Sequence, residues 1–151
     1  MSEREIIEKM MENVDKRQIL GASFPRTNRI FLDVEKNVLK DVVRFLKKNG
    51  FDHLSTITGL EVSDGIDLLY HLSREGVILT VRVKASFNET VVPSITDIIP
   101  GANLYEREVH ELLGVDFQGH PGLTRLLLQE GWPENVYPLR KKRTAEGASN
   151  P

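Results

Sequence analysis

The stretch 54–85, LSTITGLEVSDGIDLLYHLSREGVILTVRVKA, reads as three strands joined by two tight turns. Asp64-Gly65 is a two-residue hairpin signal between the runs 54–63 and 66–73, because both residue types tolerate the positive φ that such a turn demands. Glu75-Gly76 supplies the second turn. In 77–85, Val77, Leu79, Val81, Val83 and Ala85 alternate with Ile78, Thr80, Arg82 and Lys84, giving one core face and one wetter face. Upstream, Val38, Leu39, Val42, Val43, Phe45 and Leu46 recur at helical spacing within 35–49, and Asn49-Gly50 is the stop. Residues 2–14 form another amphipathic helix, opened by the capping box Ser2/Glu5 and carrying Ile6, Ile7, Met10, Met11 and Val14. Between these helices, 18–23 and 29–32 read as short strands with a turn through Pro25 and Asn28. The expected fold is α+β: an antiparallel or mixed sheet with helices on one face.

Downstream of Val92-Pro93 the pattern changes. Residues 94–99 read as a short helical turn closed by Pro100-Gly101, and a helix follows to Leu113, with Asn103 as cap and Glu106 completing its box. Gly114 fits the left-handed position after that helix. From Phe117 the periodicity ends, yet Leu123, Leu126, Leu127, Leu128, Trp132, Tyr137 and Leu139 are too many apolar groups for a solvated linker. The expected organisation is an α+β domain over 1–117, an extended docking arm over 118–140 and a disordered tail over 141–151.

Composition narrows the function. The chain has 151 residues, enough for one domain, and its hydrophobic fraction of 40% is enough for one core. No run approaches the roughly 20 apolar residues of a bilayer-spanning helix, and the polar start Met1-Ser2-Glu3-Arg4-Glu5 does not resemble a signal peptide, so a soluble intracellular chain is expected. Cysteine is absent, which excludes disulfides, thiolate nucleophiles and thiolate ligands for iron–sulfur clusters. With Lys+Arg 20 against Asp+Glu 22, a formal charge of −2 argues against nucleic-acid binding.

The densest polar cluster is Glu106-Arg107-Glu108-Val109-His110-Glu111. On a helix, Glu106 lies one turn from His110, and Arg107 one turn from Glu111, so the plain reading is a charged face with i,i+4 pairs. The apolar stripe then consists of Leu104, Tyr105, Val109, Leu112 and Leu113, and Glu108 beside it is the carboxylate expected to be partly buried. The alternative is a free-standing enzyme that uses Glu106, His110 and His120 as a metal or acid–base site. A zinc site takes three or four ligands, and one Glu-x-x-x-His pair specifies it weakly. No Gly-x-Ser-x-Gly elbow and no Gly-x-x-x-x-Gly-Lys phosphate loop is present. The basic run Arg140-Lys141-Lys142-Arg143 lacks the adjacent amphipathic helix of a membrane anchor.

The order Pro100-Gly101-Ala102-Asn103, Glu106-Arg107-Glu108-x-x-Glu111-Leu112-Leu113-Gly114-Val115-x-Phe117-x-Gly119-His120-Pro121-x-Leu123, and later Tyr137-Pro138-Leu139-Arg140-Lys141, resembles the signature of the 30 kDa subunit family of respiratory complex I, an NADH dehydrogenase. The segment 130–137 is similar to the shorter version found with membrane-bound NiFe hydrogenase complexes. The resemblance implies a cofactor-free structural and assembly subunit of the hydrophilic arm of an electron-transfer complex. That complex would be an oxidoreductase of the NADH:quinone or energy-converting hydrogenase type, peripheral on the cytoplasmic side of the cell membrane. Its expected partners are the large catalytic subunit and the small iron–sulfur subunit, which would carry the clusters. Glu106, Arg107, Glu108, Glu111, His120, Pro121, Arg125, Trp132, Tyr137 and Arg140 would then be signature and interface residues, with no catalytic, cofactor or metal role.

Overall fold

The computed structural model describes residues 2–124, 127, 131–133 and 135–141. Arg125, Leu126, Leu128 and the tail from 142 onward, on which several of the expectations fall, lie outside them. The element order is α1 (Glu3–Asn13), β1 (Ile19–Arg26), β2 (Arg29–Val34), α2 (Leu39–Lys48), β3 (His53–Val62), β4 (Gly65–Arg74), β5 (Val77–Ser86), β6 (Val91–Pro93), α3 (Ala102–Leu113) and β7 (Asp116–Gln118). Ser2 caps α1 as read, its hydroxyl accepting from the Glu5 N–H at 3.2 Å. The helix at 35–49 is shorter than expected: 36–38 form a 3₁₀ turn, and α2 proper starts at Leu39.

The main sheet has the order β1-β2-β5-β4-β3. Every neighbour is antiparallel except β2 and β5, which run parallel, so the sheet is mixed. Leu68, Tyr70 and Leu72 of β4 and Leu79, Val81 and Val83 of β5 point to one face. There they join Ile6 and Met10 of α1, Leu39, Val42 and Leu46 of α2 and Val109 and Leu113 of α3 in a single core. The helices therefore cover one face, as the alternation predicts.

The turns carry the register. At the second hairpin Glu75 and Gly76 both have positive φ, 46° and 82°, between the paired residues Arg74 and Val77. This is the backbone handedness that matches strand twist. The first hairpin turns one residue earlier than expected, through Ser63 and Asp64, because Gly65 is already paired with Val62. Gly65 is needed there for space: a Cβ on it would run into the Ala85 carbonyl oxygen of the next strand. One feature had no sequence signal. Short β6 pairs in parallel with β7, at Val91–Asp116, Val92–Phe117 and Pro93–Gln118, and so ties both flanks of α3 together.

Candidate functional site: the signature helix and its arm

Helix α3 begins at Ala102 with Gly101 at the cap position and no side-chain cap, so the expected Asn103/Glu106 box does not form. The Glu106 carboxylate is engaged elsewhere. It is fully buried, and its two oxygens accept from the Ser94 hydroxyl at 2.7 Å and the Ile95 N–H at 2.8 Å. These bonds anchor the turn after β6 to the middle of α3. Burial pushes the Glu106 carboxyl up to about 7, although both hydrogen bonds pull the other way. Tyr70 of β4 is completely buried, and its hydroxyl has no hydrogen-bond partner among the described residues. Burial, and secondarily the Glu106 charge, drive the Tyr70 pKa well up.

The buried face of α3 is Ala102, Glu106, Val109 and Leu113, with Glu111 also buried. This corrects the expected stripe. Leu104 is 53% exposed and Glu108 is exposed, whereas two carboxylates took places expected to face solvent. The reason is geometric: 102, 106, 109 and 113 fall on one line at steps of four, three and four, and Gly59 of β3 leaves room beneath Val109 and Leu113.

The remaining signature side chains turn toward the C-terminal arm. Arg107 Nε donates to the Thr124 carbonyl at 3.2 Å, and the Glu111 carboxylate accepts from the Leu127 N–H at 2.6 Å. The last carbonyls of α3, which a helix leaves without internal partners, are taken up by the arm. Leu139 N–H donates to Leu112 O at 3.0 Å, and Arg140 Nε to Leu113 O at 2.7 Å. Gly114 has φ +79°, and the Tyr137 ring packs where its Cβ would stand. The Arg140 guanidinium lies over Phe87 and Tyr137, at 5.2 and 5.6 Å from the ring centres. Lys141 N–H reaches Glu61 on β3, a buried carboxylate at 3.1 Å. Trp132 donates from Nε1 to the Val136 carbonyl at 2.7 Å. Between helix and arm lies a cavity of about 480 Å³, lined among others by His110, Asp116, Trp132 and Tyr137. The described residues of the arm thus pack against α3 and β3.

Glu106, His110 and His120 do not converge. His110 donates from Nδ1 toward Val115 O at 2.9 Å and Asp116 at 3.2 Å. His120 accepts from the Gly122 N–H on Nδ1, so Nε2 carries the proton offered to Asn103 O at 3.2 Å. Among the described residues no three His, Asp or Glu side chains are grouped to hold a metal ion. Pro121 is exposed, and Arg125 lies outside the described residues. Sequence reasoning missed Glu61, Ser94 and Tyr70. Glu61 was findable: it is in phase with Ile57 and Gly59, both on the core side of β3.

Fold and site together define a small α+β protein whose polar signature fastens one helix to the turn before it and to the arm after it. The profile described as respiratory-chain NADH dehydrogenase, 30 Kd subunit, matches residues 32–149. The chain belongs to that family, the one its motif at 100–123 resembles. It is 37% identical over 117 residues to an NADH-quinone oxidoreductase subunit of Ruegeria pomeroyi, covering 73% of this chain and 58% of that protein. Against the corresponding NADH-quinone oxidoreductase subunit of Mesorhizobium japonicum the identity is 38% over 118 residues, 73% of this chain and 57% of the relative. The chain therefore spans somewhat over half the length of these relatives. The fold matches the trypsin-resistant fragment (1–134) of Nqo5 with TM-score 0.64 at 24% identity, covering 78% of this chain and 98% of that one. It also matches a chain of the membrane-bound sulfane sulfur reductase, an archaeal respiratory membrane complex, with TM-score 0.69 at 23% identity. That match covers 96% of this chain and 79% of the other.

Proposed function

We propose that this chain is a cofactor-free structural and assembly subunit of a membrane-associated oxidoreductase complex, of the NADH:quinone or energy-converting hydrogenase-like type. It packs on the large catalytic subunit and beside the small iron–sulfur subunit, on the cytoplasmic side of the membrane. The observation that carries this reading is the use made of the signature. Glu106, Arg107, Glu111 and Arg140 bind backbone groups of the turn, the arm and the helix end, so they shape a surface instead of converging on a reacting atom. Membership in the 30 kDa subunit family supports the reading as a subunit of such a complex. None of the helices among the described residues is long and apolar enough to cross a membrane, which fits attachment through partners. The exposed side of α3, with Leu104 and Glu108, and the arm beyond it are the surface offered to the large subunit.

The purified chain alone is expected to show no oxidoreductase turnover and no visible absorption from flavin, haem or cluster. A stoichiometric chromophore in a fresh preparation contradicts the cofactor-free reading. Arg107→Ala tests the docking surface. Losing the bond to Thr124 O loosens the arm, so co-purification with the large subunit is expected to fall several-fold. The melting temperature of the chain alone should drop by only a few degrees, an exposed hydrogen bond contributing about 0.5–1.5 kcal/mol. Undiminished co-purification removes Arg107 from the interface.

A further inference from the structure

Glu106 is fully buried, yet a chain of hydroxyl groups leads from it toward the surface. Ser94 Oγ, in a residue only 3% exposed, stands 2.7 Å from Glu106 Oε1 and 2.8 Å from Thr96 Oγ1. Thr96 is partly exposed, so the chain ends beside water. Both links have the length of good O–H···O hydrogen bonds. The Thr96 N–H also donates to Ser94 Oγ, at 3.2 Å, and holds that oxygen between its two neighbours.

The donors and acceptors are satisfied in both charge states of the carboxyl without moving a heavy atom. Ile95 N–H donates to Oε2 in either state, which leaves Oε1 as the oxygen that takes the proton. With the carboxylate charged, Ser94 donates its hydroxyl proton to Oε1 and accepts from the Thr96 hydroxyl. With the carboxyl neutral, Oε1–H donates to Ser94, Ser94 donates to Thr96 Oγ1, and Thr96 turns its own proton to water. Passage between the states moves one proton along each link. A solvent proton bonds to Thr96 Oγ1, the Thr96 proton passes to Ser94 Oγ, and the Ser94 proton passes to Oε1. Each hydroxyl breaks one O–H bond and forms another, so the net change is protonation of Glu106 alone.

The surroundings make exchange by opening costly. The turn over 94–99 is fastened to α2, by Lys40 to Asp97 at 2.8 Å and by Lys47 to Ile98 O at 2.5 Å. Ile95, Ile98 and Ile99 of the same turn lie in the core. The groups that act on Glu106 come from several elements. Lys40 of α2 favours the carboxylate and Asp97 of the turn opposes it, while the two pair with each other. Tyr70 of β4 presents a buried hydroxyl, and Glu61 of β3 is turned to the Lys141 N–H. Of the two donors bonded to the carboxyl, Ser94 Oγ and Ile95 N, a hydroxyl gives up and regains a proton through its lone pairs, whereas a backbone amide has no acceptor site to do so.

We propose that Ser94 and Thr96 form a proton relay through which the buried Glu106 equilibrates with solvent while α3 stays seated, a pH-responsive device in the anchor of the signature helix.

The test follows the Glu106 carboxyl carbon by NMR in the full chain, with isotope-labelled glutamate, across about pH 5 to 8. In the wild type one signal is expected to move continuously, the pattern of rapid proton exchange. Thr96→Val keeps the shape of the side chain and removes the outer hydroxyl. Its signal is expected to broaden or split in mid-titration, corresponding to exchange slowed by about tenfold or more, because the proton then has to wait for the turn to open. Thr96→Ser restores a hydroxyl and should restore the single moving signal. Hydrogen exchange at the Ile95 amide reports opening of the turn, and in the wild type it should be far slower than exchange at the carboxyl. A Thr96→Val signal that moves as in the wild type overturns the relay, as does a wild-type carboxyl rate equal to the Ile95 opening rate. A shifted midpoint with an unchanged rate makes Thr96 a structural support only, and overturns it too, as does a Thr96→Ser variant that stays slow. A Glu106 signal that does not titrate across this range leaves the relay nothing to carry and has the same force. If Thr96→Val fails to fold, Thr96→Ala gives the same readout.

Discussion

Glu106→Gln is expected to abolish most of the pH dependence of this protein's stability between about pH 5 and 8. The folded carboxyl titrates near 7 against 4.5 in its ordinary state, so over that window the folded chain holds a proton that the unfolded chain has lost. Stability is then fully present below the unfolded value and declines as pH rises through the folded one, by on the order of 3 kcal/mol. For a chain of this size that is roughly a 10 °C fall in melting temperature. Glutamine can keep the network without a charge. Its carbonyl accepts from Ile95 N–H and its amide donates to Ser94 Oγ, whose own proton turns to Thr96 Oγ1, 2.8 Å away. The variant should match the wild type near pH 5 and exceed it at pH 8. Glu106→Ala should be worse at every pH, by about 2–4 kcal/mol, because it leaves buried donors unpaired and a cavity in the core. Urea titrations at a series of pH values decide this. Equal slopes for wild type and Glu106→Gln would show that the buried carboxyl is not the titrating group.

Gly114→Val should release the arm from the helix. The φ of +79° at this position costs a side-chain-bearing residue about 1–2 kcal/mol, more for a β-branched one. The new Cβ would also lie 2.5 Å from Tyr137 Cε2 in a ring that has to move as a unit. Displacing Tyr137 removes a platform for Arg140 and draws Leu139 N–H away from Leu112 O. The combined destabilisation should reach about 3 kcal/mol, adding a typical overpacking cost to the backbone strain. Amide exchange at Leu139 and Arg140 is the direct readout, and acceleration by about tenfold or more is expected there while core amides such as Val81 stay protected. Uniform acceleration would mean global unfolding; no acceleration would mean that the ring is not holding the arm.

What could be read from the amino-acid order was whatever depends on period and on turn chemistry. Strand alternation in 77–85 placed Leu79, Val81 and Val83 inward, and the stripe of α2 placed Val42, Val43 and Leu46 against them. Gly114 was legible because few residues other than glycine end a helix at positive φ. The order of signature residues from Pro100 to Leu123 was enough to point to the family. The rest depended on what the tertiary structure brings near. Glu106 counts as polar in any periodicity, and only the fold sets Ser94 and the Ile95 N–H against it and so makes its burial tolerable. Glu108, off the line that runs through Glu106 and Val109, stays exposed. The same holds for the arm, which has no period of its own: its course follows the unpaired carbonyls of Leu112 and Leu113 and the glycine that leaves Tyr137 room. A period records which face a residue lies on, whereas a buried charge is decided by donors that are distant in sequence and meet it only in the folded chain.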